Sequence, residues 1–264
     1  MKLEYEEGIK RLLKEYSNLV REEIKKGCRW RQKIESGRLS VTEQETLLKE
    51  ICGQLLVQGR GAKSVRTQIN RIEKVIGKWS IENIERNLDA IGMLNKKIQK
   101  LNRILQYLKN NTISDWVMRL HHGDNGIPCM GLKSDDDFLK THSFYEHVPV
   151  DRHTQRFLFR TGIVYWYLKK NDDDILTLFG GEYEKKYKLF QKIIVEFCKV
   201  IGQSINIPSS YGKLNLAKNP GILDIVIWRH CGEDEKLGCK NICGNRPKCN
   251  KCILREICLW YILR

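Results

Sequence analysis

Four cysteines near the end of the chain, Cys243, Cys249, Cys252 and Cys258, are separated by five, two and five residues. Thiolates clustered in this way hold zinc or a four-iron four-sulfur cluster, both of which accept four cysteine ligands. Structural zinc usually pairs two close-spaced knuckles across a longer gap. Here there is one close pair with a single cysteine on either side, which favours the 4Fe-4S cluster and leaves zinc as the alternative. The remaining six of the ten cysteines (Cys28, Cys52, Cys129, Cys198, Cys231 and Cys239) are scattered, so the set does not read as a disulfide framework. Cys239 and Cys231 are alternatives to Cys243 as the first ligand.

Two further residues are candidates for chemistry. Asp151 stands before an amphipathic segment running to about Leu168, where a carboxylate both caps a helix and is favoured as an anion by the helix N-terminus. Lys133 follows the turn Ile127-Pro128-Cys129-Met130-Gly131. A lysine there either binds phosphate or, desolvated and neutral, serves as a nucleophile. Asp135, Asp136 and Asp137 read as first-turn residues of the next helix. His121 and His122 lack partners at metal-ligand spacing, and the sequence contains no nucleotide-binding glycine loop and no zinc-protease helix.

Charge points to the partner. Forty-seven Lys and Arg against thirty-two Asp and Glu give a net +15, which implies an anionic partner, nucleic acid first. The field is focused: residues 52–111 hold twelve basic and four acidic side chains, a net +8. No run of about 18 apolar residues could span a bilayer, so no membrane role is expected. The start Met-Lys-Leu-Glu-Tyr-Glu-Glu has no secretory h-region, so export is not expected and the location expected is cytoplasmic. With nucleic acid as the partner, the expectation is a nucleoid-associated protein of a prokaryotic cell, taken as a monomer.

The elements that must position these residues follow from helical periodicity. One long amphipathic helix is expected over residues 1–36, then helices over 41–56 and 64–76 flanking the polar break Gln58-Gly59-Arg60-Gly61. Ser80 should cap a helix that stops at Gly92, with further helices over 94–108 and 112–122, one after the turn at 127–131, and one beginning at Asp151. Tyr183, Tyr187, Phe190, Ile194, Phe197 and Ile201 step by four and three, and Ile222 to Arg229 form an apolar helix. Almost nothing alternates with period two, so the fold class is all-α.

The stretch Arg246-Pro247-Lys248-Cys249-Asn250-Lys251-Cys252-Ile253-Leu254-Arg255-Glu256-Ile257-Cys258 resembles the C-terminal cluster loop of the endonuclease III family. Five residues, where that family usually has six, separate its first two ligands here. Val148-Pro149-Val150-Asp151-Arg152-His153 resembles the segment carrying the family's essential aspartate. Ile127 to Lys133 resembles its hairpin Leu-Pro-Gly-Val-Gly-Arg-Lys, with Cys129 in place of the first glycine, and Lys133 lies eighteen residues before Asp151, as in lysine-bearing members. Ile91-Gly92-Met93-Leu94-Asn95-Lys96-Lys97 is also similar. The likeness covers about residues 41–260.

The resemblance implies a two-lobed helix-hairpin-helix DNA glycosylase with a helical barrel over 41–145, a second lobe over 146–228 and a cluster loop over 229–264. It implies an active cleft between the lobes and leaves residues 1–36 as an N-terminal extension. Lys133 would displace the base and form a Schiff base, with Asp151 stabilising charge on the sugar. Met93 would be the wedge that fills the vacated stack, and Gln58 would lie near the orphaned partner base. The backbone N–H groups around Met130 and Gly131 would face a DNA phosphate. The implied partner is double-stranded DNA carrying a damaged base or abasic site. An oxidised pyrimidine is the favoured substrate, with 8-oxoguanine or a mismatched thymine or uracil as alternatives. One of Asp135 to Asp137 could read the base. A non-catalytic iron–sulfur DNA-binding module is the alternative of another class.

Overall fold

The computed structural model describes residues 2–57, 62–172, 174–209, 212–234 and 238–263. In chain order they form α1 (Lys2–Glu15), α2 (Ser17–Glu35), α3 (Val41–Val57), α4 (Ala62–Ile76), α5 (Ile81–Arg86), α6 (Asn95–Leu108), α7 (Ile113–His121) and α8 (Leu132–Thr141). There follow α9 (Arg152–Arg160), α10 (Ile163–Leu168), α11 (Asp174–Gly180), α12 (Tyr183–Ile201), β1 (Asn206–Ser209), β2 (Gly212–Asn215), α13 (Gly221–Cys231) and α14 (Leu259–Ile262). The all-α expectation describes this architecture apart from one antiparallel hairpin, in which Ile207 pairs with Leu214. Among the described residues no helix is long and apolar enough to cross a membrane.

Two helices expected to be continuous are divided. The N-terminal helix breaks at Tyr16, whose side chain is drawn into the core. The segment from Asp151 to Leu168 divides at Gly162, which sits at φ 82 as the N-cap of α10, a left-handed conformation that glycine adopts without cost.

The chain separates into two compact units, Met1–Cys28 with Ser143–Arg264, and Arg29–His142. The first therefore contains the N-terminal helix, which the sequence left as an extension. Its core is the buried row of α12 (Tyr187, Phe190, Ile194, Phe197, Ile201) with the almost wholly buried α13. Against these pack α9 and α1, the latter through Ile9 and Leu12. Gly8 gives α1 its closest approach to the tail, because a side chain there would collide with the tip of Ile257.

The second unit is built around α3, which packs on α4, α6 and α8 and buries Leu47, Ile51, Cys52 and Leu55. Its cap signals act as their chemistry dictates. The Ser80 hydroxyl accepts the N–H of Asn83 at 3.3 Å to start α5, and Gly92 adopts φ 66 ahead of α6. Trp116 of α7 meets Phe138 of α8 edge-on at 5.7 Å. The Trp116 indole N–H donates to the Pro128 carbonyl at 2.9 Å, fixing the turn that leads to Lys133.

Candidate active site and cysteine centre

In the first unit the chain enters α9 along Val148, Pro149 and Val150. The Gln191 amide donates to the Val148 carbonyl at 3.0 Å and the Val150 N–H to the Tyr187 hydroxyl at 3.3 Å, so this approach is fixed to α12. Asp151 is the N-cap of α9, in extended backbone at φ −110, ψ −176. Its Oδ1 accepts the N–H of His153 at 2.7 Å and of Thr154 at 2.9 Å, satisfying two of the amides that a helix start leaves open. Oδ2 accepts no hydrogen bond among the described residues.

Beneath the cap, the buried Thr154 hydroxyl lies 3.2 Å from Asp151 Oδ1 and 2.9 Å from Asp224 Oδ1. It has one proton, which the nearer Asp224 takes. Asp224 is 4% exposed in the apolar helix α13, so a second carboxylate is fixed under the first. Burial pushes the neighbouring His153 imidazole below its ordinary pKa, against the opposing pull of Asp151.

The other end of α9 is gripped by the cysteine tail. Arg160 donates to the Gly244 carbonyl at 2.7 Å, to the Cys243 carbonyl at 3.2 Å and to the Cys243 sulfur at 3.5 Å, and stacks 5.2 Å from the Trp260 ring centroid. The Cys258 thiol donates back to the Arg160 carbonyl at 3.3 Å. Cys243, Cys249, Cys252 and Cys258 all line one small cavity with Arg160, Pro247 and Arg255. The expected quartet is thus brought together, while Cys231 and Cys239, the alternatives for first ligand, do not line that cavity.

A hydrogen bond from Cys231, with Arg160 assisting against burial, lowers the Cys243 thiol to about 6. Burial first, then the negative charge of Cys243, Cys258 and Cys249, pushes Cys252 up to about 11. Burial likewise raises Cys258. Among the described residues no three donors converge on a single-ion position.

His230, on α13, touches this centre. Its Nε2 lies 3.5 Å from the Cys252 sulfur and its Nδ1 3.1 Å from the Tyr16 hydroxyl. Its carbonyl accepts the N–H of Ile242 at 2.8 Å and of Cys243 at 3.2 Å. Burial holds the imidazole down at about 4, so it is neutral at physiological pH.

Lys133 lies in the second unit, in the first turn of α8. It is half-buried and makes no hydrogen bond or ion pair with any described residue. Its charge reaches Asp137, one turn on. Burial alone would raise that carboxyl, but Lys140, Gln54 and Lys133 together hold it below its ordinary value. The Gln54 amide donates to Asp137 Oδ2 at 2.9 Å, and Lys140 pairs with Oδ1 at 3.0 Å.

Three sequence expectations are corrected or left aside here. The hairpin amides do not face outward: the N–H of Met130 donates to Asp135 Oδ1 at 2.9 Å and that of Gly131 to Oδ2 at 3.0 Å, as Asp135 reaches back over the start of α8. Gly131 takes φ 123 to permit this turn, and Lys100 holds the Met130 carbonyl at 2.7 Å. Burial drives the Asp135 carboxyl up to about 7, against the two amide bonds. Met93, expected as the wedge, is buried at 7%, because the left-handed Gly92 turns it inward; its neighbour Leu94, N-cap of α6, is 64% exposed. Gln58 lies outside the described residues.

Several partners had no clear sequence signal: His230, Arg160 and Thr154 are ordinary helix residues in the sequence. Asp224 had one, as the only acid in the run Gly221 to Cys231. No family model, no curated protein and no solved structure matches the chain.

Proposed function

We propose that the chain is a DNA N-glycosylase and abasic-site lyase of the helix-hairpin-helix type, acting on double-stranded DNA with an oxidised base. The observation that carries this reading is Lys133: a half-buried amine just after the glycine turn, with no hydrogen bond or ion pair to any described residue, in a protein of net charge +15. A lysine amine at such a turn is a nucleophile of the kind that Schiff-base chemistry uses. It attacks C1′ of the target nucleotide as the N-glycosidic bond breaks. The base leaves with the bonding electrons and takes up a proton while the amine loses one; the sugar ring then opens at C1′–O4′, O4′ taking that electron pair and a proton as the nitrogen lone pair completes the C=N bond of the Schiff base. Loss of the proton at C2′ then expels the 3′ phosphate by β-elimination.

Asp151 supports the same chemistry. Its Oδ1 is committed to the cap and its Oδ2 is left to face positive charge developing on the sugar. Leu94, the exposed apolar side chain at the start of α6, takes the wedge role expected of Met93. An oxidised pyrimidine remains the favoured base on the resemblance alone, with 8-oxoguanine the rival.

The cysteine tail is read as a 4Fe-4S site. The four thiols line one cavity, and a single close pair with one cysteine on either side is the spacing that favours the cluster over paired zinc knuckles. A cluster would take one thiolate for each of its four irons. Bound there, it would neutralise the mutually repelling thiolates and fix the loop. Arg246, Lys248, Lys251 and Arg255 would then be available to DNA phosphates.

Borohydride trapping on an abasic-site duplex tests the lysine. A covalent adduct formed by the wild type and lost in Lys133→Ala is expected. Tight binding with neither adduct nor base release would replace this reading with the non-catalytic DNA-binding module. Base release from duplexes containing thymine glycol, 8-oxoguanine, uracil or mismatched thymine identifies the substrate.

A further inference from the structure

The N-terminal helices lie outside the part of the chain that carries the resemblance, yet they are built onto the cysteine tail. Tyr5 donates to the Thr161 carbonyl at 2.7 Å, Arg11 pairs with Glu256 at 3.3 Å, Lys240 pairs with Glu15, and Gly8 lets α1 approach Ile257 and Leu254. One contact goes further than packing. At the joint between α1 and α2, Tyr16 sends its hydroxyl to His230 Nδ1, while the opposite nitrogen of the same ring meets the sulfur of Cys252.

We infer that Tyr16 and His230 form a fixed hydrogen-bond relay onto the Cys252 thiolate, through which the N-terminal helices raise the reduction potential of the cluster and protect it from loss. This rests on the reading of the cysteines as a 4Fe-4S site.

The direction of each hydrogen bond follows from the groups present. A metal-bound thiolate only accepts, so His230 Nε2 must carry the proton. Nδ1 of the neutral ring is then an acceptor, and the Tyr16 O–H must donate to it. Tyr16 and His230 are each 2% exposed, so bulk water is not at hand to replace either partner. The ring is held edge-on to Tyr16 at a centroid distance of 6.0 Å, and its backbone carbonyl is tied to Ile242 and Cys243. An N–H aimed at a ligand sulfur withdraws charge from it and stabilises the more negative, reduced cluster. Tyr16 polarises the imidazole in the same sense, because a donor at Nδ1 makes Nε2–H a stronger donor.

The test uses the full chain, its iron content, its absorbance at about 400 nm, and a redox titration of that absorbance. His230→Leu should move the potential negative and hasten bleaching in air, His230→Gln, which keeps an N–H donor, should move it less, and Tyr16→Phe should move it in the same direction. In the His230→Leu background Tyr16→Phe should add nothing, because both changes act through one bond to sulfur. A Tyr16→Phe shift that persists there, or an iron-loaded His230→Gln and Tyr16→Phe pair with wild-type potential and bleaching rate, would overturn the relay. Absence of iron from the wild type would overturn the cluster reading itself, and the relay's redox role with it.

Discussion

Replacing Asp151 separates two roles that its position superimposes. As a cap, its Oδ1 serves two backbone amides at 2.7 and 2.9 Å, with the Thr154 hydroxyl alongside. Loss of an N-cap costs about 0.5–2 kcal/mol, and the two short bonds place Asp151→Ala at the upper end, about 2 kcal/mol. Asp151→Asn keeps an acceptor for both amides, and asparagine caps as well as aspartate, so it should cost under about 0.5 kcal/mol. As a charge-stabilising carboxylate, Asp151 is lost in both variants, and excision should fall by roughly 10²-fold or more in each. Urea unfolding followed by circular dichroism gives the first number, and single-turnover release of the damaged base gives the second. The expected pattern is a stable but inactive Asp151→Asn. An Asp151→Asn protein that excises at the wild-type rate would reduce Asp151 to a helix cap and refute its catalytic assignment.

Asp135 makes stability depend on pH. Burial raises its carboxyl from 3.8 to about 7, so the folded protein holds that proton more tightly than the unfolded chain. This contribution is complete below 3.8 and is lost as pH rises through about 7. The fall in urea midpoint across that range should be smaller in Asp135→Asn; equal falls would show that Asp135 does not titrate there. Met93→Ala, which empties a buried site, should cost about 2–5 kcal/mol, whereas Leu94→Ala should stay within about 0.5 kcal/mol and yet slow base release. The reverse pattern would return the wedge role to Met93.

Local rules carried much of the fold. The four-and-three spacing of α12 and the Ser80 cap each depend on residues within one or two turns of each other, and each is found where it was expected, although the helix expected to run to Gly92 ends at Arg86 and a tighter turn over Asp89–Ile91 leads to the glycine. The cysteine spacing was legible for the same reason. What escaped was set by distance along the chain. Thr154 meets Asp224 seventy residues on, and Tyr16 meets His230 across 214 residues; no periodicity links such pairs. The hairpin of β1 and β2 escaped because four-residue strands are too short to display alternation. Met93 and Leu94 show the limit of register: one residue decides which side chain faces inward, and a left-handed glycine just before them made that decision. Asp135 was legible as a first-turn acid but not as the acceptor of both hairpin amides, which follows only from how α8 folds back on its own start.

The placement of the cysteine tail bears on the helix that carries Asp151. α9 has nine residues, and isolated helices shorter than about 12–15 residues are marginal in water. It persists because it is held at three places: the Asp151 cap at its start, α13 along its side, and the cysteine tail at its end through Arg160 and Cys258. The last hold is the conditional one. Burial raises the Cys252 and Cys258 thiols, and a metal centre that took them as thiolates would add its own binding energy to this hold. A filled centre would therefore fix the far end of the helix whose near end aims Asp151, without either group touching the other.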